Sequence, residues 1–166
     1  MKEEQVKVLI ALSEVTNRMD LNVFSKKVNL NPAEAIQQVQ QLAREGFLQK
    51  VGNGFGITEK GRKALKALAT VPEETAFKFY YSIDHPSGIS ANKLEDFYIV
   101  TKQINVESLE FHLYRGDFET WLKEAIKDQQ LAYDFGTVRA FGLKGEELRA
   151  ELLKALDECY SIQELL

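Results

Sequence analysis

The spacing of apolar residues predicts a helix in the first half of the chain, over residues 32–44. Apolar positions recur there three and four apart, as on one helical face packed against a core. Asn31 is a candidate N-cap and Glu34 stands three residues later, a spacing typical of a capping box. Gly46 suits the end of the helix. The expected inner side consists of Ala35, Ile36, Val39, Leu42 and Ala43.

A short hairpin is predicted directly after this helix. Residues 47–51 and 55–58 are expected to be strands, because Gly52, Asn53 and Gly54 between them favour a tight turn. Further helices are predicted at about residues 3–16, 21–28 and 59–69, with a turn at 17–20. The first half of the chain is therefore expected to run helix, helix, helix, hairpin, helix.

The second half begins after a stretch in which apolar residues follow neither the helical nor the strand spacing. The stretch from Thr70 to Glu74 contains Pro72 and paired acids, so we expect a domain boundary there, separating residues 1–70 from 71–166. The predicted elements beyond it are a strand at 77–83, a loop at 84–88, helices at 92–104, 106–114, 118–126, 129–135 and 144–160, and an irregular stretch at 136–145.

Two motifs around the hairpin resemble a known fold family. Residues 42–48, Leu-x-x-Glu-Gly-Phe-Leu, leave the helix, and residues 57–65, Ile-Thr-Glu-Lys-Gly-Arg-Lys-Ala-Leu, close the hairpin. Together they resemble the winged helix-turn-helix of small prokaryotic transcription regulators, over about residues 3–68. The resemblance implies a recognition helix followed by a wing. The expected fold class is mainly α with a small β-hairpin wing, followed by a mostly helical domain containing a short strand.

A second resemblance covers about residues 75–166. It is carried by the run Phe-His-Leu-Tyr-Arg-Gly-Asp-Phe-Glu-Thr-Trp at 111–121, with supporting positions at 77–79, 87–88 and 128–132. This signature resembles that of a small prokaryotic domain of unknown function. The resemblance implies a domain type and brings no activity with it.

The composition limits the classes of protein that the chain can belong to. Its 166 residues are 45% apolar and 28% charged, which is ordinary for a globular protein with a core. It has no run of 18 apolar residues and no signal-peptide pattern, so no membrane span is expected. The single Cys159 excludes an internal disulfide and suits a reducing compartment, so we expect a cytoplasmic protein.

The two halves of the chain differ in charge. Residues 1–70 hold eleven Lys and Arg against seven Asp and Glu, a net charge of +4. Residues 71–166 hold ten against eighteen, a net charge of −8. This asymmetry is typical of a nucleic-acid module attached to a module that does not bind nucleic acid.

The polar side of the helix at 32–44 is the first candidate for chemistry. Gln side chains can pair with adenine edges in the major groove, Lys and Arg can neutralise phosphates, and the hairpin tip can approach a minor groove. The expected DNA-contacting residues are Asn31, Glu34, Gln37, Gln38, Gln41, Arg44, Lys50, Asn53, Lys60 and Arg62. Lys26, Lys27 and Lys63 could add phosphate contacts. The open alternative is a solvated polar face on a fold that docks proteins.

The second candidate is a polar cluster at His112, Arg115 and Asp117, which could hold a ligand or an anion at a helix junction. Its structural alternative gives Asp117 the role of helix cap and His112 that of a half-buried, hydrogen-bonded residue. The second half is also rich in aromatic residues. Most are expected in the core, and the alternative is a pocket for a small apolar or aromatic effector, or a dimer interface.

Neither a metal site nor catalytic machinery is expected. The only histidines are His85 and His112, and no cluster has ligand spacing. Ser87 lies outside a nucleophile-elbow motif and Cys159 has no evident base, so we expect no enzyme and no cofactor.

The prediction for function is a DNA-binding transcription regulator acting on double-stranded DNA. Because one recognition helix covers few base pairs, we expect a homodimer. The acidic second half would dimerise, sense a ligand or dock a partner. The alternative is a non-catalytic protein-interaction module that has the winged-helix fold without nucleic-acid binding. A third class is an enzyme or ligand-binding protein that uses His112, Arg115 and Asp117.

Overall fold

The computed structural model describes residues 1–15 and 20–166, which form nine α-helices and two antiparallel two-stranded sheets. The mainly α class with a small hairpin is confirmed. The first helix ends at Ser13, before the end predicted at Thr16. The predicted turn at 17–20 falls outside the described residues except for Asp20. Asp20 is described, and its carboxylate caps the next helix by accepting from the Asn22 N–H at 2.8 Å.

The chain divides into two compact units. The first comprises residues 1–66 with 165–166, and the second comprises residues 67–164. The division falls inside the fourth helix, a few residues before the boundary expected at 70–74. The elements of the first unit are α1 (Glu3–Ser13), α2 (Leu21–Val28), α3 (Pro32–Arg44), β1 (Leu48–Val51), β2 (Gly54–Ile57) and most of α4 (Glu59–Leu68).

The residues that follow α3 account for where this helix ends. Gly46 takes a left-handed φ of +81°, which glycine adopts without steric cost. Its N–H bonds the Ala43 carbonyl at 3.1 Å, and the Phe47 N–H bonds the Leu42 carbonyl at 2.9 Å. These two bonds form a Schellman motif, which satisfies the last carbonyls of α3.

The buried side of α3 is narrower than predicted. Ala35 and Leu42 are fully buried, whereas Val39 and Ala43 are half-buried. Ile36, predicted to face inward, is 41% exposed. Because successive residues turn by about 100° around a helix, Ile36 lies at the margin of a buried face centred on Ala35 and Leu42.

One threonine and one glycine that follow the hairpin contact the chain at the end of α3. β1 and β2 pair in register from Leu48 with Ile57 to Val51 with Gly54. The Thr58 hydroxyl donates to the Gly46 carbonyl at 2.7 Å and accepts from the Gly61 N–H at 3.1 Å. A Cβ added to Gly61 would lie 2.4 Å from the Phe47 carbonyl oxygen. This close approach accounts for the glycine in the motif at 57–65.

The second unit contains the end of α4 and two short 3-10 turns, Glu73–Thr75 and Ile162–Glu164. Its other elements are β3 (Phe77–Ser82), β4 (His85–Ala91), α5 (Leu94–Gln103), α6 (Val106–Arg115), α7 (Asp117–Glu124), α8 (Gln129–Ala140) and α9 (Gly145–Tyr160). Two predictions were wrong here. Residues 85–88, predicted as a loop, begin β4, which pairs with β3 despite Pro86 and Gly88.

The predicted irregular stretch at 136–145 was wrong over residues 136–140, because α8 continues to Ala140, whereas residues 141–144 connect α8 to α9 without helical structure. Gly136 lies in the helix where α8 meets α7. A Cβ added there would lie 3.3 Å from the carboxylate of Glu119. The glycine thus reflects a contact between helices, although glycine in a sequence is typical of a helix end.

Aromatic rings form the core of the second unit, as expected. Phe79, Phe97, Phe118 and Phe135 are fully buried. The Phe97 ring stacks on Trp121 with centroids 5.2 Å apart. Such contacts add to the burial of apolar area, the main stabilising term of folding. Among the helices of the described residues, none is both long enough and apolar enough to cross a membrane.

Gly61→Ala should destabilise the first unit. Alanine normally favours a helix by about 1 kcal/mol over glycine, but the new Cβ would collide with the backbone of Phe47. Relieving this overlap should cost about 2 kcal/mol or more. Urea unfolding followed by far-UV circular dichroism measures the change. Gly136→Ala is the matched control, since its Cβ meets only a side chain and should change stability by less than about 1 kcal/mol. Equal effects of the two substitutions would contradict this account of Gly61.

Candidate functional site

The first two residues predicted to contact DNA bond to each other. The Asn31 side chain accepts from the Glu34 N–H at 2.9 Å, and the Glu34 carboxylate accepts from the Asn31 N–H at 3.1 Å. This is the predicted capping box, and it fixes where α3 begins. Both residues are exposed, and one side-chain oxygen of each accepts a hydrogen bond at the start of the helix.

The solvent face of α3 presents glutamines and one arginine. Gln37, Gln41 and Arg44 are exposed, whereas Gln38 is half-buried. The Gln41 amide donates to the Glu45 carboxylate at 2.6 Å, which partly occupies it. Gln40 was absent from the predicted set and is exposed on the same face. Its helical position, three residues after Gln37, was the signal that could have included it.

The predicted cations fall into two groups. Lys60 lies over the Phe47 ring at 4.7 Å and donates to the Glu45 carbonyl at 3.1 Å, so it supports the end of α3. Arg62 lies 3.7 Å from the Glu59 carboxylate in an exposed pair. Within residues 1–15 and 20–166, no ion pair occupies the exposed cations Lys26, Arg44, Lys50 and Lys63.

The hairpin tip is a two-residue loop of Gly52 and Asn53, and Asn53 is exposed. Lys50 stands on β1 opposite Phe55. Lys27, by contrast, pairs with Glu14 at 2.8 Å. The first unit therefore has an exposed polar face on α3 and exposed cations on α2, α3, β1 and α4.

The first unit also contains an apolar groove that the sequence analysis missed. It has a volume of about 760 Å³ and runs along α3 and the hairpin tip. Val51 is 58% exposed, Ile36 41% and Phe55 38%. Its other apolar side chains are Leu12, Val15, Leu21, Phe24, Ala35 and Val39. The available signal was that both hairpin strands place large apolar residues near the tip.

In the second unit, His112 is 4% exposed and both of its ring nitrogens are engaged. Nε2 accepts from the Tyr80 N–H at 2.8 Å, and Nδ1 lies 2.8 Å from the Asp117 carboxylate. Because a backbone N–H can only donate, Nε2 is unprotonated and the proton sits on Nδ1. The imidazole is therefore neutral and has no free nitrogen for a ligand.

Ser108, one turn before His112 on α6, also bonds to the backbone of Tyr80 on β3. Its hydroxyl donates to the Tyr80 carbonyl at 2.7 Å. Ser108 and His112 thus satisfy both backbone groups of Tyr80 on β3. Side chains of a helix do here what a neighbouring strand would do in a wider sheet.

Asp117 is not the helix cap that was predicted. Gly116, with a left-handed φ of +77°, ends α6 and precedes α7, so Asp117 is the first residue of α7. Its Oδ2 atom accepts from His112 and, at 3.2 Å, from Nε of Arg115. The Arg115 guanidinium lies 4.9 Å from the Phe111 ring centroid. The three predicted residues are therefore joined in one network.

This network borders a cavity of about 280 Å³. Its lining residues are Phe77, Lys78, Tyr80, Ile83, Phe111, His112, Arg115 and Asp117. With His112 neutral, these residues carry two positive charges and one negative charge. Neither here nor elsewhere in the described residues do three His, Cys, Asp or Glu side chains gather in a way that could hold a metal ion.

Other predicted candidates have structural partners. His85 is exposed, and its Nδ1 lies 2.6 Å from the Ser82 hydroxyl across the β3–β4 turn. The Ser87 hydroxyl donates to the Phe79 carbonyl at 2.7 Å. Cys159 is half-buried, with its sulfur 3.5 Å from the Asp134 carboxylate.

Comparison with known proteins adds no family assignment: no family model, no curated protein and no solved structure matches the chain.

The attachment by His112 should make the stability of the second unit depend on pH. Burial lowers the pKa of His112, Asp117 opposes this shift, and Arg115 adds to it. The unfolded chain binds a proton near the ordinary pKa of about 6.5, and the folded unit resists it. The free energy of unfolding should therefore be fully maintained above that pH and fall as the pH drops below it.

Urea unfolding at pH 7.5 and 5.5, followed by the fluorescence of the single Trp121, measures this dependence. His112→Gln should reduce the difference between the two pH values, because an amide can accept and donate without titrating. His85→Gln is the control and should leave the difference unchanged, since His85 is exposed. An unchanged difference in the His112 variant would overturn this role.

Proposed function

We propose that the protein is a DNA-binding transcription regulator whose first unit acts as a winged helix. In this proposal α3 enters the major groove and the β1–β2 hairpin contacts the backbone. The observation that carries it is the exposed side of α3, where Gln37, Gln40 and Arg44 face solvent together. Glutamine can pair with adenine, and arginine can contact phosphate or guanine.

The distribution of charge supports the same proposal. The first unit carries the positive excess of the chain, and several of its acids are occupied. Glu14 pairs with Lys27, Glu34 caps α3 and Glu45 accepts from two glutamines. Arg44 and Lys50 remain available for phosphates. Neutralisation of phosphates supplies most of the non-specific affinity of DNA-binding proteins.

The proposal assigns Asn31 and Glu34 to helix capping and Lys60 to supporting the end of α3. Gln37, Gln40, Gln41 and Arg44 then form the base-facing set, with Gln38 at its half-buried margin. Lys50, Asn53, Arg62 and Lys63 would approach the backbone. No catalytic step is proposed for this surface.

The alternative is a protein-interaction module that does not bind nucleic acid. The observation in its favour is the apolar groove between α3 and the hairpin tip. Contiguous apolar surface of this kind is typical of sites that bind other proteins. The two proposals make opposite predictions for binding to DNA at low salt.

Arg44→Ala and Lys50→Ala should each weaken binding of a labelled mixed-sequence duplex. Each removes about one phosphate contact, so the slope of log K against log salt should become less steep by about 0.9 per substitution. Fluorescence anisotropy between low and near-physiological salt measures both affinity and slope.

Lys7→Ala is the matched control, since Lys7 lies outside the proposed surface set and its charge is already paired with Glu3 on α1. It should change neither quantity. Absence of binding at low salt would refute the DNA-binding proposal and favour the protein-interaction module. Equal effects of all three substitutions would show a diffuse attraction and contradict the proposed surface.

We also propose a homodimer, because a symmetric pair of recognition helices doubles the number of base pairs read. Tyr133 on α8 and Phe141 at its end are 70% and 59% exposed, and we propose that each contributes an apolar contact to the association. Sedimentation equilibrium should give twice the chain mass of 18.9 kDa. Phe141→Glu should shift the protein toward the monomer, whereas Thr120→Glu, at an exposed position on α7, should not. A monomeric parent protein would contradict this part of the proposal.

A further inference from the structure

We propose that the cavity bordered by β3 and α6 binds a small organic carboxylate with a compact apolar body. The cavity has a volume of about 280 Å³, near the lower end of the range for small-molecule sites. It lies wholly in the second unit. This proposal is therefore independent of DNA binding by the first unit, and either can fail without the other.

The guanidinium of Arg115 is held in place before any ligand arrives. Its Nε donates to Asp117 and its plane lies near the Phe111 ring. Asp117 is itself fixed by His112, which is buried and bonded to β3. An arginine anchored through Nε keeps the two Nη groups free for the paired hydrogen bonds that a carboxylate accepts.

Lys78 supplies the second positive charge. It stands on β3 two residues from Tyr80, so both side chains lie on the same face of the strand. Lys78 is exposed and has no acidic partner within the described ranges, 1–15 and 20–166. Lys78 and Arg115 give the lining two positive charges, and Asp117, whose carboxylate already accepts from His112 and Arg115, gives it one negative charge. The net charge of the lining is therefore +1. That charge suits a monoanion.

The remaining lining is mostly apolar, so the part of the ligand beyond its carboxylate should be apolar as well. Phe77 and Phe111 contribute aromatic surface, and Tyr80 is half-buried. Ile83, at the turn between β3 and β4, is 71% exposed. A ligand body the size of a single ring would cover this isoleucine and the face of Tyr80. Burial of that area would add the hydrophobic part of the affinity.

Isothermal titration calorimetry with benzoate at pH 7.5 tests the proposal. Benzoate should bind, whereas benzamide, which has the same shape without the charge, should bind at least about tenfold more weakly. Inorganic phosphate, which lacks the apolar body, should also bind at least about tenfold more weakly.

Substitutions separate the cavity from other surfaces. Arg115→Gln and Lys78→Gln should each weaken benzoate binding, by about tenfold for the arginine and less for the lysine. Lys123→Gln, an exposed lysine of α7 outside the cavity, is the matched control and should leave affinity unchanged. Trp121 fluorescence confirms that each variant is folded. The Lys78 variant keeps the test decisive even if the Arg115 variant unfolds, because the Lys78 side chain is exposed and only the backbone of this residue takes part in the sheet.

Three results would overturn the proposal. The first is the absence of benzoate binding to the parent protein. The second is equal binding of benzoate and benzamide, which would indicate apolar adsorption, or of benzoate and phosphate, which would indicate a general anion effect. The third is benzoate binding that Lys78→Gln does not weaken.

Discussion

One neutral imidazole holds the second unit together at the point where its sheet meets its helices. A two-stranded sheet leaves backbone groups without a strand partner, and groups that are buried must find partners elsewhere. Tyr80 finds them in Ser108 and His112, which stand one turn apart on α6. The other nitrogen of the same imidazole positions Asp117. His112 thus links β3 to Asp117 at the start of α7 and, through Asp117, to Arg115.

Features that depend on nearby residues could be predicted from the sequence. The capping box of Asn31 and Glu34 and the helix end at Gly46 involve groups a few residues apart, so spacing alone was sufficient. Two features were missed for different reasons. Gly136 lies inside α8 where that helix meets Glu119 of α7, a contact between positions far apart in the chain. β4 pairs with the neighbouring strand β3 although it contains Pro86 and Gly88, residue types that are typical of loops.

The candidate sites divide in the same way. Residue type and helical spacing placed Gln37, Gln41 and Arg44 on the exposed face of α3. The network of His112, Arg115 and Asp117 was expected as a cluster, but the roles of its members were not. His112 bonds the backbone of Tyr80, 32 residues away, and Gly116 takes the cap position expected for Asp117. Long-range partners and a one-residue shift of a helix start lie beyond what spacing can resolve.

The left-handed Gly116 limits how the sequence around the junction of α6 and α7 can change in evolution. It reverses the chain in one residue, so that a histidine on one helix meets an aspartate on the next, five positions later. A side chain at Gly116 would strain that reversal, and a longer connection would separate the imidazole from the carboxylate. Related chains are thus expected to retain the histidine, glycine and aspartate as a group at fixed spacing, or to replace the group as a whole, while the loops around it vary freely in length.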